Sequence, residues 1–274
     1  MQNKRLWFGT AALIAMVIIG LAALSPWGAG RSQDEVWRRI QETGVLTVAT
    51  DASFLPFEAL DNSGELFGFD IDLAQEIGRR LGVRVEYENI AYDGLLGVLV
   101  VKRDDVVISA FVPQPEREKD VSYTRPYFNA GTMVVSLAGD ELFVKGDGRQ
   151  GEWARDRRIA VEYGSNSDVL AREWTRLFPD VRLERFPTAT LAMQAVETQK
   201  ADAAVVDAIS AFDFLQGHRA LRIAGEPLED EYYVMAVNVR SRKLLAALNK
   251  AIGTMEVDGT LPALRAAWFG DAAR

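Results

Sequence analysis

The chain has 274 residues, 49% of them hydrophobic and 26% charged, with a formal net charge of −8. This excludes a disordered or collagen-like chain, and the length suits one large domain or two lobes. The absence of cysteine and the single histidine, His218, exclude disulfides, thiolate metal sites, a lipoprotein anchor and any Ser-His-Asp triad not built on His218. The acidic balance argues against nucleic acid as a partner, and no metal or cofactor is expected.

Lys4 and Arg5 precede an uncharged, mostly apolar run over residues 6–24, followed by Ser25-Pro26-Trp27-Gly28-Ala29-Gly30. A basic start, an apolar run and small residues make a secretory signal, with Gly28 and Gly30 at −3 and −1 of a cut before Arg31. The run also approaches the roughly 20 residues that span a bilayer, so residues 1–30 are read either as a cleaved signal or as an N-terminal membrane anchor. Both place Arg31 onward outside the cytoplasm, periplasmic or extracellular.

Residues 45–50 form a β-rich run. Asp61-Asn62-Ser63-Gly64 is a turn signal that predicts a hairpin between residues 57–59 and 66–69. Asp70 is expected to cap a helix with Ile71, Ala74, Ile77 and Leu81 on its apolar face, ended by Gly82. Strands are predicted over 83–87, 106–109, 133–137, 159–162, 181–186, 203–206 and 233–239. Helices are predicted over 93–101, 168–178, 190–198, 209–215, 242–255 and 261–268. Residues 139–157 read as an irregular surface stretch. Such alternation argues for an α/β protein of mainly parallel sheets flanked by helices.

In parallel sheets, ligands bind beyond the carboxyl ends of the strands. Four predicted strands stop at suitable polar groups: Asp51; Ser109, with Arg117 following; Gly164-Ser165-Asn166; and Asp207. A guanidinium can grip a carboxylate, a carboxylate can take an ammonium, and a helix N-terminus offers free N–H groups. Together they would clamp an α-amino acid at both charged ends. Each residue also has a plainer role open to it. Arg117 lies in the charged run Glu116-Arg117-Glu118-Lys119-Asp120, Asp207 can be a helix N-cap, and Gly164-Ser165 an ordinary turn. Asp51 can cap a local turn, and Phe54, Phe57 and Tyr92 can be core aromatics.

The run Ala49 to Glu58 resembles the start of extracytoplasmic solute-binding proteins of family 3, which serve ABC importers of polar amino acids. The same order continues in Gly68-Phe69-Asp70-Ile71-Asp72-Leu73-Ala74, Tyr92-Asp93-Gly94-Leu95-Leu96, Pro115-Glu116-Arg117 and Tyr123-Thr124-Arg125-Pro126-Tyr127. It extends through Gly164-Ser165, Ala201-Asp202-Ala203-Ala204-Val205-Val206-Asp207 and Gly259-Thr260-Leu261 to Trp268-Phe269-Gly270. The resemblance implies a two-lobed type II periplasmic-binding-protein fold. Lobe 1 would be residues 45–126 plus 234–270, lobe 2 residues 132–228, with hinges near 127–131 and 229–233. It implies that Arg117 grips the ligand α-carboxylate, helped by N–H groups near Ser165. Asp207 would take the α-ammonium, and Phe54 and Tyr92 would sandwich the side chain. The implied ligand-binding set is Asp51, Phe54, Tyr92, Ser109, Ala110, Val112, Arg117, Glu162, Gly164, Ser165, Asn166 and Asp207.

Val112, the pair Pro113-Gln114 that follows it, and Glu162 depart from the family pattern. Val112 stands where a Thr or Ser hydroxyl is usual, and losing one neutral hydrogen bond costs about 0.5–1.5 kcal/mol. Glu162 stands where an apolar, amide or basic residue is usual, and with Asp51 it would favour a cationic side chain such as arginine, lysine or ornithine. The expected partners are a small-molecule amino acid and a membrane permease, with the protein a monomer. Two alternatives are an amino-acid-sensing receptor subunit, needing a separate signalling partner, and an enzyme like a periplasmic cyclohexadienyl (prephenate or arogenate) dehydratase. The enzyme would use Glu162 or Asp51 as general acid.

Overall fold

A computed structural model describes residues 34–142, 144 and 151–273. The expected signal or anchor in residues 1–30 lies outside the described residues. Among those described, no helix is long and apolar enough to cross a membrane.

The described residues open with α1 (Glu35–Thr43), which the sequence reading did not mark and of which only Val36 and Ile40 are buried. Then come β1 (Val45–Thr50), β2 (Ser53–Phe54), β3 (Glu58–Leu60) and β4 (Leu66–Phe67). β3 and β4 form the expected hairpin, with Leu60 opposite Leu66, and β2 pairs on its other side. α2 (Phe69–Leu81) follows, but Asp70 does not cap it: the N-cap is Gly68, at φ 138°. A Cβ at Gly68 would lie 2.1 Å from the Phe57 carbonyl oxygen, so the chain enters this helix through glycine and Asp70 turns inward, fully buried.

β5 (Arg84–Asn89), α3 (Leu95–Val100), β6 (Val106–Phe111), β7 (Val121–Tyr123) and β8 (Phe128–Asn129) complete the first pass. β6 is buried at every residue and β5 is partly exposed, as suits a central and an edge strand. The second sheet is built from β9 (Thr132–Leu137), β10 (Arg158–Glu162), α4 (Asn166–Leu177), β11 (Arg182–Phe186), α5 (Ala189–Glu197), β12 (Ala203–Asp207), α6 (Ala208–Leu215) and β13 (Leu221–Ile223). The chain returns through β14 (Tyr232–Asn238) and ends in α7 (Arg242–Val257) and α8 (Thr260–Phe269).

The first sheet has the order β5-β1-β6-β14-β7 and the second β11-β10-β12-β9-β13. In each, four strands run in one direction and a single strand, β14 in the first sheet and β9 in the second, runs antiparallel between its neighbours, so both sheets are mainly parallel, as expected. The start of β9 pairs with the end of β12 (Thr132 with Asp207), and the start of β14 with the end of β6 (Val234 with Phe111). Both antiparallel strands therefore enter their sheets at the carboxyl ends of the parallel ones. That is the end where the chain crosses between lobes, and a strand arriving there must run backwards.

The two crossings are bonded to each other. Tyr232 and Tyr233 pair with Asn129 and Phe128, and Thr132 bridges Glu229. The Asn129 Oδ1 accepts from the Gly131 and Glu231 N–H groups, while its Nδ2 donates to Asp230. One hydrophobic core runs from the first sheet through Tyr127 and Phe128 into the second. Separate clusters around Trp174 and Leu99 line the outer sheet faces. Phe57 organises the join: the rings of Phe69, Phe128, Tyr233 and Phe269 all lie within 5.9 Å of it.

Candidate functional site

Cavities open at the carboxyl ends of both sheets. On the first sheet, a cavity of about 330 Å³ is lined by Asp51, Ser53, Phe54, Glu58, Tyr92, Ser109, Ala110, Val112 and Tyr233. Asp51 sits just past β1, and its Oδ2 accepts from the Tyr92 N–H at 2.8 Å. Its own N–H donates to the Ser109 Oγ at 3.0 Å, tying three strand ends together. Ser109 is buried and donates onward to the Glu58 Oε1 at 2.8 Å. Ala110 has φ 42°, and its N–H donates to the Asp70 Oδ2.

The aromatics divide by burial. Phe57 is a core residue. Phe54 and Tyr92 are 42% and 43% exposed, so their rings remain available to a ligand. Phe54 stacks on Phe57 at 5.5 Å and Tyr92 on Phe111 at 5.3 Å, which braces each ring from behind. Val112 presents an exposed apolar surface at the rim.

On the second sheet, a cavity of about 270 Å³ is lined by Ala130, Gly131, Thr132, Glu162, Ser165, Asn166, Ser167, Ala189, Val205, Val206, Asp207 and the run Glu229-Asp230-Glu231. Ser165 is the N-cap of α4: its Oγ accepts from the Asp168 N–H and donates to the Glu162 carbonyl. Asp207 is the N-cap of α6, its Oδ1 accepting from the Ser210 N–H at 2.8 Å. For both, the capping role and the cavity position coexist, because a helix that begins at a strand's carboxyl end puts its cap at the sheet's binding edge. Among the described residues, no lysine or arginine lines either cavity.

Two expected residues are not brought to these cavities. Gly164 takes the left-handed turn ahead of α4 at φ 82°, and its N–H donates to the Asp168 Oδ2. Arg117 ends a short 3-10 turn after β6 and lies 3.5 Å, through Nε, from the Asp120 Oδ2. A guanidinium takes the nearest carboxylate offered, and here that is in its own loop. The sequence reading did not single out Glu58, Tyr233, Thr132 or the acidic run Glu229–Glu231. Glu58 was visible only as the last residue of a longer motif, and the acidic run carries no periodicity. The Tyr92 and Tyr233 hydroxyls are pushed above the usual tyrosine range, first by burial and then by charges that include Glu231.

The family model of bacterial extracellular solute-binding proteins, family 3, matches residues 46–271. The chain belongs to that family. Among family relatives, it is 29% identical over 234 residues to the L-cystine-binding protein TcyJ of Escherichia coli (strain K12), covering 85% of each chain. It is 26% identical over 229 residues to the ABC transporter arginine-binding protein 1 of the same organism, covering 82% of this chain and 90% of the relative. The structure is similar to the L-cystine solute receptor of Neisseria gonorrhoeae in the unliganded open conformation. The TM-score is 0.73 at 25% identity, over 87% of this chain and 98% of that one. It is also similar to an ancestral cationic amino acid solute binding protein, with TM-score 0.59 at 31% identity, over 85% and 98%. The two-lobed α/β fold of the family accounts for the paired sheets and the two crossings.

Proposed function

We propose that this family 3 protein captures a free amino acid with a cationic side chain between its lobes, outside the cytoplasm, and delivers it to an ABC import permease. One observation carries the reading. Two half-sites stand at the carboxyl ends of two sheets, on either side of a paired crossing, and among the described residues every charged group lining them is acidic. Residues 45–126 with 234–270 form one lobe and 132–228 the other. Residues 127–131 and 229–233 bend between them.

In this reading the ligand is the bridge. Asp207 and the N-terminus of α4 hold the polar end from lobe 2, while Phe54 and Tyr92 sandwich the side chain from lobe 1. Arg117 swings from Asp120 to the ligand α-carboxylate. Contacts from both lobes form only when the cleft shuts, so the ligand stabilises the closed state by its differential affinity. Residues 1–30 export the chain or hold it at the membrane surface. The curated relatives are binding proteins, and this reading is of binding without turnover.

Thermal-shift screening of residues 31–274 against the proteinogenic amino acids and ornithine tests it. A ligand at 100 times its Kd adds about 2.7 kcal/mol to native stability. Arginine, lysine or ornithine is expected to raise the melting point. The Arg117→Ala variant is expected to keep the unliganded melting point and lose the shift. Failure of every amino acid to shift the protein refutes amino-acid capture, and a shift with glutamine or glutamate alone refutes the cationic preference.

A further inference from the structure

Glu231 lies on the returning crossing, between the two half-sites. Its backbone is fixed there: the Ala130 N–H donates to its carbonyl at 2.8 Å, and its own N–H donates to the Asn129 Oδ1 at 3.1 Å. It lines the lobe 2 cavity, and its charge also bears on the hydroxyls of Tyr92 and Tyr233, which line the lobe 1 cavity. The neighbouring Asp230 is already engaged by Asn129 and Tyr232. Among the described residues, no ion pair involves Glu231 or Glu162.

We infer that Glu231 is a specificity-determining residue of this site, reading the positive end of the ligand side chain from the crossing itself. The inference rests on the amino-acid-capture reading. Within that reading the backbone charges of the ligand cancel against Arg117 and Asp207, and the Asp51 carboxylate accepts the Tyr92 N–H. Glu162 and Glu231 then have no counter-charge. Closing the cleft strips water from them, and a neutral side chain leaves them unpaired in a drier site, whereas a guanidinium or ammonium compensates them. Glu162 travels with lobe 2. Glu231 sits on the segment shared by both lobes, so it meets the incoming cation in the open form and keeps it in the closed form.

The test is calorimetric titration of the whole exported chain and its Glu231→Gln and Glu231→Asp variants with arginine, lysine, ornithine and glutamine, at low and at physiological salt. Glu231→Gln is expected to weaken the cationic ligands at least tenfold, more at low salt, with any glutamine affinity unchanged or improved. Glu231→Asp is expected to restore part of the loss. The unliganded melting point checks that each variant folds. Equal weakening of all ligands, or no weakening, overturns the specificity role. If the unmodified protein binds glutamine but no cation, the inference falls and capture stands; if it binds no amino acid, both fall.

Discussion

Glu58 and Asp70 bury two carboxyl groups together at the lobe 1 cavity, 1% and 0% exposed, with no guanidinium or ammonium among the described residues against either. The Glu58 Oε2 and the Asp70 Oδ1 each lack a donor from any other group. One proton shared between the two carboxyls would satisfy both oxygens. Two like charges side by side in an apolar site cannot both persist. Burial raises Glu58 first, and the Asp70 charge raises it further. Burial also raises Asp70, opposed by bonds from the Ala110 N–H and the Tyr127 hydroxyl. Asp70 in the first turn of α2 is thus the better anion and Glu58 the better acid.

A proton retained on folding makes stability depend on pH with a definite sign. The unfolded chain releases these protons near pH 4, while the folded chain keeps at least one well above that. The contribution is therefore complete below the ordinary carboxylate range and is lost as pH rises through the raised folded-state values. Glu58→Gln keeps an acceptor for Ser109 and offers a permanent donor to Asp70. It is expected to flatten the decline in stability between pH 5 and 9, measured by urea denaturation at each pH, and to raise the melting point at pH 8. Each recovered kcal/mol corresponds to about 2–4 °C for a chain of this size. An unchanged slope would show that the pair does not hold the proton.

Asp34 caps two helices at once. Its Oδ1 accepts from the Trp37 N–H in α1, and its Oδ2 from the Lys243 N–H at 2.7 Å, at the start of α7. Ser241, the local N-cap of α7, makes no side-chain capping bond. Removing a cap costs about 0.5–2 kcal/mol, so Asp34→Ala is expected to cost about 1–4 kcal/mol, and Asp34→Asn less. Chemical denaturation compares the two, and a loss below that of a single cap would mean that water replaces the carboxylate at both helices.

The strand ends carried the legible part of the site. Asp51, Ser109, Ser165 and Asp207 stand out in a linear reading because each follows an apolar β-run, and strand direction alone brings them to one edge of the fold. Asp70 misled because an acid before a helical pattern looks like a cap, and only the contact between Gly68 and the Phe57 carbonyl shows that the helix begins earlier. Glu229 to Glu231 were silent: they belong to a crossing without helical or alternating pattern, and the proximity of Glu231 to Tyr92 is created by the return of the chain. Arg117 was legible as a residue type. Its partner in this structure, Asp120, depends on a side-chain torsion that no spacing encodes.

Gly131 is where the two crossings touch. A Cβ there would lie 1.9 Å from the Glu229 carbonyl oxygen, which is backbone and has no side-chain freedom to retreat. Gly131→Ala must therefore spread the Thr132–Glu229 bridge and shift the floor of the lobe 2 cavity. The expected result is a melting point lowered by several degrees and ligand affinity reduced at least tenfold. Wild-type values for both would show that the crossings slide apart at little cost.

In the proposed function, Asp120 competes with the ligand for Arg117. Their charged groups are 3.5 Å apart, and the side chains are 34% and 36% exposed, so the pair contributes only about 0–1 kcal/mol to the fold. In the proposed cycle that interaction must break before the guanidinium reaches the ligand α-carboxylate. Asp120→Asn removes the competing charge. It is expected to leave the unliganded melting point within a degree or two and to tighten amino-acid binding up to about fivefold, the equivalent of about 1 kcal/mol. A weakened affinity would reverse the assignment, making Asp120 a residue that aims Arg117 at the ligand.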